Sequence, residues 1–407
     1  LWELGYTGTG IVVASMDTGV DSLHPDIGPK WRGGTNSWYD PHGEHPDTPY
    51  DSAGQNSGHG TRVMGIMVGG DAGGTSIGVA PGAKWIAVKL FDDTGDAQYS
   101  DIHSGFQWLL DPDNNPDTDD APDVVNNSWG FDTAIDKCLP EFQADVQALK
   151  AAGVAVVFSA GNTGQNDSTS ISPANYPESF GVGSVDQWLE VSNFSARGPS
   201  ACDGTVFPEI VAPGENILTA DLTVGGTSPD PYAYVQGTSF SAPHVAGSMA
   251  LLLNANQELT VDELEGFIKG SAVDLGDSGT DNAYGYGLLD VEAAAHNMFI
   301  MHPMLNMHPL TVNITGRGRG SVTSDPPGIN CPGDCEQIFF DGTVVTLAAV
   351  PEQGSTFAGW SGDCTGQEMT CEIAVDQVKN ATADFSSFPW ELFVPIFTGK
   401  GHPHLIP

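Results

Sequence analysis

The chain is poor in basic residues. Its 407 residues include only 13 Lys and Arg against 52 Asp and Glu, a formal net charge of −39. Charged residues total just 16%, below the roughly 25% usual for soluble domains, so the imbalance reflects missing bases more than surplus acids. A nucleic-acid partner is disfavoured, because phosphate binding needs a dense basic surface. An anionic membrane surface is disfavoured for the same reason. Long apolar runs are also missing; none reaches the ~18 residues of a transmembrane helix. The start, Leu1-Trp2-Glu3-Leu4, lacks the basic and apolar regions of a secretory leader and reads as the trimmed end of a mature chain. Cysteines number six, four of them in the close pairs Cys331/Cys335 and Cys364/Cys371 within a Gly-rich region. That pattern predicts disulfide stapling in an oxidising compartment. Core-forming residues are plentiful: 40% are hydrophobic, with 9 Trp, 9 Tyr and 18 Phe, which argues against disorder.

Residues 1–298 alternate between apolar runs and helical patterns. Ile11-Val12-Val13-Ala14-Ser15-Met16, Trp85-Ile86-Ala87-Val88-Lys89-Leu90, Val124-Val125-Asn126-Asn127 and Val154-Ala155-Val156-Val157-Phe158 are continuous runs. Continuity, rather than alternation, suits strands buried on both faces. Between them, residues 141–152 space Phe142, Val146 and Leu149 as on a helix. The expected fold is α/β, a doubly wound parallel sheet with helices on both faces, and its sites belong at the carboxyl ends of strands. Residues 299–310 hold two prolines and several methionines and read as a linker. Residues 311–386 alternate in short stretches punctuated by Gly and Pro, a small all-β module. Residues 387–407 read as a tail.

Four motifs carry chemistry. Asp17 follows the first buried run in Ser15-Met16-Asp17-Thr18-Gly19, where a carboxylate is either a turn residue or held beside a crevice. His59 is flanked by small residues in Gly58-His59-Gly60-Thr61. Asn162 follows a strand in Ser159-Ala160-Gly161-Asn162. Ser239 lies in Gly237-Thr238-Ser239-Phe240-Ser241-Ala242-Pro243. Pro243 fits only near a helix start, so Ser239 is either an ordinary cap or a nucleophile whose own N–H helps bind an oxyanion.

In the order Asp, His, Asn, Ser, these motifs resemble the subtilisin family of serine proteases over residues 1–296. Val125-Asn126-Asn127-Ser128-Trp129-Gly130 and Ala174-Asn175-Tyr176-Pro177-Glu178-Ser179-Phe180 look most like its bacillopeptidase F branch. The resemblance implies acyl transfer: Ser239 as nucleophile, His59 as general base and acid, Asp17 orienting His59, and Asn162 in the oxyanion hole. It also implies that Ser128, Trp129 and Gly130, with Ser159, Ala160 and Gly161, wall the primary pocket. Gly95, Asp96 and Ala97 then form an edge strand that pairs with extended substrate, where Asp96 favours basic or neutral peptides. No cofactor is needed for the chemistry. The rival readings are a non-catalytic adhesion or substrate-binding protein on a protease scaffold, and a lipase-type hydrolase. The latter would show Gly-x-Ser-x-Gly, which is not seen around Ser239.

Departures from the family pattern are Arg62, where a second histidine is usual, and Phe240, where methionine is usual. The stretch of residues 74–81 looks shorter than the calcium loop of some relatives. Structural calcium has another candidate place in residues 111–123, with six Asp and two Asn, since hard oxygen ligands suit that ion. Cys138 and Cys202 flank the segment holding Asn162 and are expected to bridge. The C-terminal module resembles divergent bacterial repeats related to internalin B-repeats, through Gly320-Ser321-Val322 and Phe357-Ala358-Gly359-Trp360-Ser361-Gly362. Trp360 there is expected to be a core residue. The whole reads as a secreted bacterial endopeptidase of broad specificity. It is expected to be a monomer acting on protein or peptide substrates, with a propeptide in its precursor.

Overall fold

A computed structural model describes residues 1–74, 76–301, 307–340 and 342–387. They form two compact units, each with its own core. In the first, the continuous apolar runs become a seven-stranded sheet in the order β2-β3-β1-β4-β5-β6-β7. Its strands are β1 (Val12–Asp17), β2 (Trp38–Tyr39), β3 (Lys84–Lys89), β4 (Val124–Asn127), β5 (Ala155–Ser159), β6 (Phe180–Val185) and β7 (Ile210–Pro213). All their pairings are parallel. The helices are α1 (His59–Val68), α2 (Tyr99–Leu110), α3 (Gln143–Ala151), α4 (Thr238–Ala255), α5 (Val261–Ser271) and α6 (Val291–Met301).

The burial of β1 explains its unbroken apolar run. Ala14 and Met16 join Phe106 and Leu109 of α2 and Val146 and Leu149 of α3 in one core cluster. Val13 is just as buried but points the opposite way, where α1 and α4 pack on β1. Helix α4 has no polar stripe; nearly all its residues are buried, as befits a helix running through the interior. An antiparallel pair, β8 (Ile217–Ala220) and β9 (Tyr232–Val235), precedes it.

Strand β1 lies between β3 and β4. The chain leaves β1 for the β2–β3 side, then returns past β1 to β4, so the strand order reverses at the β1/β4 boundary. In open α/β sheets the ligand crevice sits at the carboxyl ends of strands at such a point. Asp17 ends β1 and Asn127 ends β4.

Two sequence expectations need correction. Gly95, Asp96 and Ala97 are not an edge strand; their backbone is irregular and belongs to no sheet. The Asp92 carboxylate accepts the N–H groups of Thr94, Gly95 and Asp96 at 2.9, 2.8 and 2.9 Å, and these local bonds fold the segment into a turn. The linker of residues 299–310 is shorter than expected: α6 continues to Met301 and the next strand starts at Met307. Residues 302–306, and the tail from residue 388, lie outside the described residues.

The second unit is all β. Its strands are β10 (Met307–Gly316), β11 (Gly320–Asp325), β12 (Asn330–Cys331), β13 (Glu336–Phe340), β14 (Thr343–Pro351), β15 (Ser355–Gly362), β16 (Thr370–Val375) and β17 (Lys379–Ser387). They form two four-stranded sheets, β13-β10-β17-β15 and β12-β11-β14-β16. Leu310, Val322, Val345, Leu347, Trp360 and Phe385 share their core. Trp360 is buried, and its indole N–H donates to the Glu368 carbonyl at 3.1 Å, as a buried indole requires. All six cysteines are paired: Cys138–Cys202 in the first unit, and Cys331–Cys335 and Cys364–Cys371 in the second.

Candidate active site

The β1/β4 crevice gathers the four motif residues. Asp17 is buried at the end of β1. His59 opens α1, after Gly58 in the left-handed region at φ 87°, where a side chain would be strained. A Cβ on Gly60 would collide with the Gly19 carbonyl and approach the Asp17 Cβ to 3.1 Å. The small residues around His59 thus let the start of α1 lie against the end of β1. His59 Nδ1 stands 2.8 Å from Asp17 Oδ1. A carboxylate only accepts, so Nδ1 donates and Nε2 is left for the crevice. Burial by itself would lower the His59 pKa, but the charge and hydrogen bond of Asp17 outweigh it and hold the imidazole above its ordinary range.

Ser239 is the second residue of α4, so its N–H is among those without an intrahelical partner. Pro243 has no N–H to offer the Ser239 carbonyl one turn back. That carbonyl accepts the Ser128 hydroxyl instead, at 2.8 Å. The Ser239 hydroxyl donates to the Ser128 carbonyl at 3.3 Å. These two contacts tie the segment after β4 to the start of α4. Asn162 Oδ1 accepts both the N–H and the hydroxyl of Thr238, each at 3.0 Å. With its oxygen so engaged, the amide NH₂ is turned away from Thr238 and free to donate.

The remaining candidates flank this group. Ser128, Trp129 and Gly130 follow β4, while Ser159 ends β5 and Ala160 and Gly161 follow it. These strands are adjacent, with Asn127 opposite Phe158. A Cβ on Gly130 or Gly161 would stand 2.8 or 2.6 Å from Ile171 Cδ1, so Ile171 fills the space between the two segments. Trp129 packs edge-on against Phe158 with ring centroids 5.6 Å apart. Phe240, in the position where methionine is usual in the family, has its ring centroid 5.4 Å from that of His59. Arg62 pairs with Asp221 at 2.7 Å.

Comparison with known proteins agrees with this geometry. Residues 8–287 match the model of the Subtilase family. The chain belongs to the subtilase family. Its first unit is a subtilisin-like serine endopeptidase domain. It is 43% identical over 313 residues to bacillopeptidase F of Bacillus subtilis, covering 71% of this chain but 21% of that protein. It is 35% identical over 297 residues to subtilisin E of Bacillus subtilis, covering 72% and 68% of the two chains. It is 34% identical over 297 residues to subtilisin of Bacillus pumilus, covering 72% and 94%. Residues 310–389 match the Divergent InlB B-repeat domain.

Asp51 carries no signal in the linear sequence, and Thr18 stands out there only as a neighbour of Asp17; folding brings both to the backbone around His59. Lys89 is wholly buried at the end of β3. Its ammonium donates to the carbonyls of Thr18, Ser52 and Phe91 and pairs with Asp93 at 3.3 Å. A fully buried lysine in a lysine-poor chain needs such partners. In the acidic loop, Asp111, Asp113 and Asp120 bring carboxylate oxygens within 4.8 Å of one another.

Proposed function

We propose that this chain is the catalytic and β-module part of a secreted bacterial endopeptidase of broad specificity. In this reading the peptidase domain spans residues 1–298 and the β module residues 311–386. Ser239 attacks the scissile carbonyl and His59 takes its proton, later donating it to the leaving amine. Asp17 holds the imidazole by its Nδ1–H and stabilises the imidazolium. The Asn162 amide and the Ser239 N–H receive the oxyanion. Substrate backbone lies between the Gly95-Asp96-Ala97 segment and the Ser128–Gly130 segment, with one side chain entering between the Ser128–Gly130 and Ser159–Gly161 walls.

The observation that carries this reading is the His59–Asp17 hydrogen bond beside Ser239 and Asn162 at one switch point of the sheet. A binding protein on a dead scaffold has no need of all four groups. Three disulfides support an oxidising destination. Among the described residues, no helix is long and apolar enough to cross a membrane. We expect a monomer made from a precursor with a propeptide. Asp111, Asp113 and Asp120 offer oxygen donors alone, which fits a calcium ion structurally. A chelator should then lower the melting temperature of the wild type but not of Asp113→Asn.

The decisive experiment is labelling with a fluorophosphonate followed by peptide mapping. Modification of Ser239 in folded protein, lost on denaturation, is the expected result. Folded protein left unlabelled at Ser239 would overturn the enzyme reading.

A further inference from the structure

The geometry points to Asp51 as a positioning residue of the peptidase site, one carboxylate that locks the backbone around His59 to the strand end carrying Asp17. The inference rests on the peptidase reading above. Asp51 lies in none of the motifs visible in the sequence and is only 4% exposed. Its Oδ1 accepts the Thr18 hydroxyl at 2.8 Å and the Gly58 N–H at 2.9 Å. Its Oδ2 accepts the Thr61 N–H at 2.8 Å and the Thr61 hydroxyl at 2.5 Å. The relay continues: the Thr18 hydroxyl accepts the Gly60 N–H at 2.8 Å, and the Thr18 N–H donates to Asp17 Oδ1 at 2.7 Å. The residues on both sides of His59, and the residue after Asp17, therefore depend on Asp51.

The arrangement follows from a local deficit. A helix start leaves N–H groups unpaired, and a capping side chain normally takes one of them. Gly58, which caps α1, makes no side-chain cap bond. Asp51 supplies the acceptor from outside the helix, and its negative charge suits the positive end of the helix. Removing it leaves buried donors without partners in the turn that aims the imidazole. Small misplacements of such a group cost rate steeply.

Asp51 also acts by charge. The ionic groups facing His59 are Asp17, Asp51 and Arg62, the last paired with Asp221. Beside Asp51, the Lys89 ammonium bonds the Ser52 carbonyl and pairs with Asp93. Burial raises the carboxyl of Asp51 itself, against the four hydrogen bonds that favour its ionised form. While ionised, it favours the imidazolium and helps keep the acid limb of activity high in pH. Neutralising it should move that limb downward.

The test compares Asp51→Asn with Thr18→Val, reading kcat, KM and the pH profile of kcat/KM on a peptide anilide, normalised to folded protein by circular dichroism. Asp51→Asn should lower kcat roughly 10- to 100-fold with little change in KM. Its acid limb should move down by on the order of half a pH unit. Thr18→Val breaks the relay but keeps the charge, so it should lower kcat and leave the limb in place. A limb unmoved in Asp51→Asn, or a Thr18→Val enzyme with wild-type kcat, overturns the inference. The second criterion holds even if Asp51→Asn does not fold. Wild-type protein left unlabelled by fluorophosphonate at Ser239 would instead sink the peptidase reading, before any variant is compared.

Discussion

Ile171 should decide which side chain the enzyme accepts before the scissile bond. The two glycine-bearing walls proposed for the primary pocket both face its Cδ1, with a Cβ at Gly130 or Gly161 only 2.8 or 2.6 Å away. If those walls bound the pocket as proposed, isoleucine would occupy the depth that a large substrate side chain needs, and small residues such as alanine should be preferred. Ile171→Ala removes three carbons from that space. One methylene in a hydrophobic pocket changes discrimination by about 1–3 kcal/mol, so three should shift it by at least ~100-fold. The assay is the ratio of kcat/KM for peptides carrying Phe or Ala at that position, measured in competition in one sample. The active fraction cancels from this ratio, which matters because truncating a buried isoleucine costs about 2–5 kcal/mol of stability. A rise in the Phe/Ala ratio is expected. A ratio changed by less than about threefold would refute the assignment of Ile171 to the pocket floor.

Other outcomes follow from the same geometry. Asn162→Ala should lower kcat by roughly 10²–10³ with KM nearly unchanged. Thr238→Val, which removes one of the two bonds orienting that amide, should cost only about tenfold; a larger loss than Asn162→Ala would contradict this order. Phe240→Met should be inactivated faster by peroxide than the wild type, because a thioether beside His59 oxidises to a polar sulfoxide; equal rates would dismiss the idea. Burial pushes the Glu209 carboxyl up to about 8, although it accepts the Gly181 N–H at 2.7 Å. The folded state then keeps a proton that the unfolded chain releases at lower pH, so stability falls as pH rises towards that value. Glu209→Gln should match the wild type near about pH 4 and exceed it by at least ~1 kcal/mol near about pH 9, by calorimetry. Peptides differing only by Lys or Glu at the subsite beside Asp96 should be cleaved faster with Lys; equal rates would remove Asp96 from that role.

The fold was legible because its strands are buried on both faces, and such burial writes continuous apolar runs into the chain. The ends of those runs also placed Asp17 and Asn162 where a doubly wound sheet keeps its crevice. The Gly95–Ala97 segment shows no strand within the chain, because the Asp92 carboxylate offers its backbone nearer hydrogen bonds. The linker was overestimated because its methionines suit a helix end and a strand start as well as irregular chain.

The sequence alone determined the class of chemistry. The proposed nucleophile, base, orienting acid and amide stand on short local motifs, each at its own turn or helix start. The disulfide-stapled second unit was equally local, since its cysteine pairs are close in the chain. Only the tertiary structure decided what surrounds the reacting groups. Ile171 between two glycine walls, Phe240 against His59, Thr238 on Asn162 and Asp51 under the start of α1 are contacts across segments that separate strands bring together. Their geometry depends on how the sheet and α4 pack, and packing distances are not written in residue spacing.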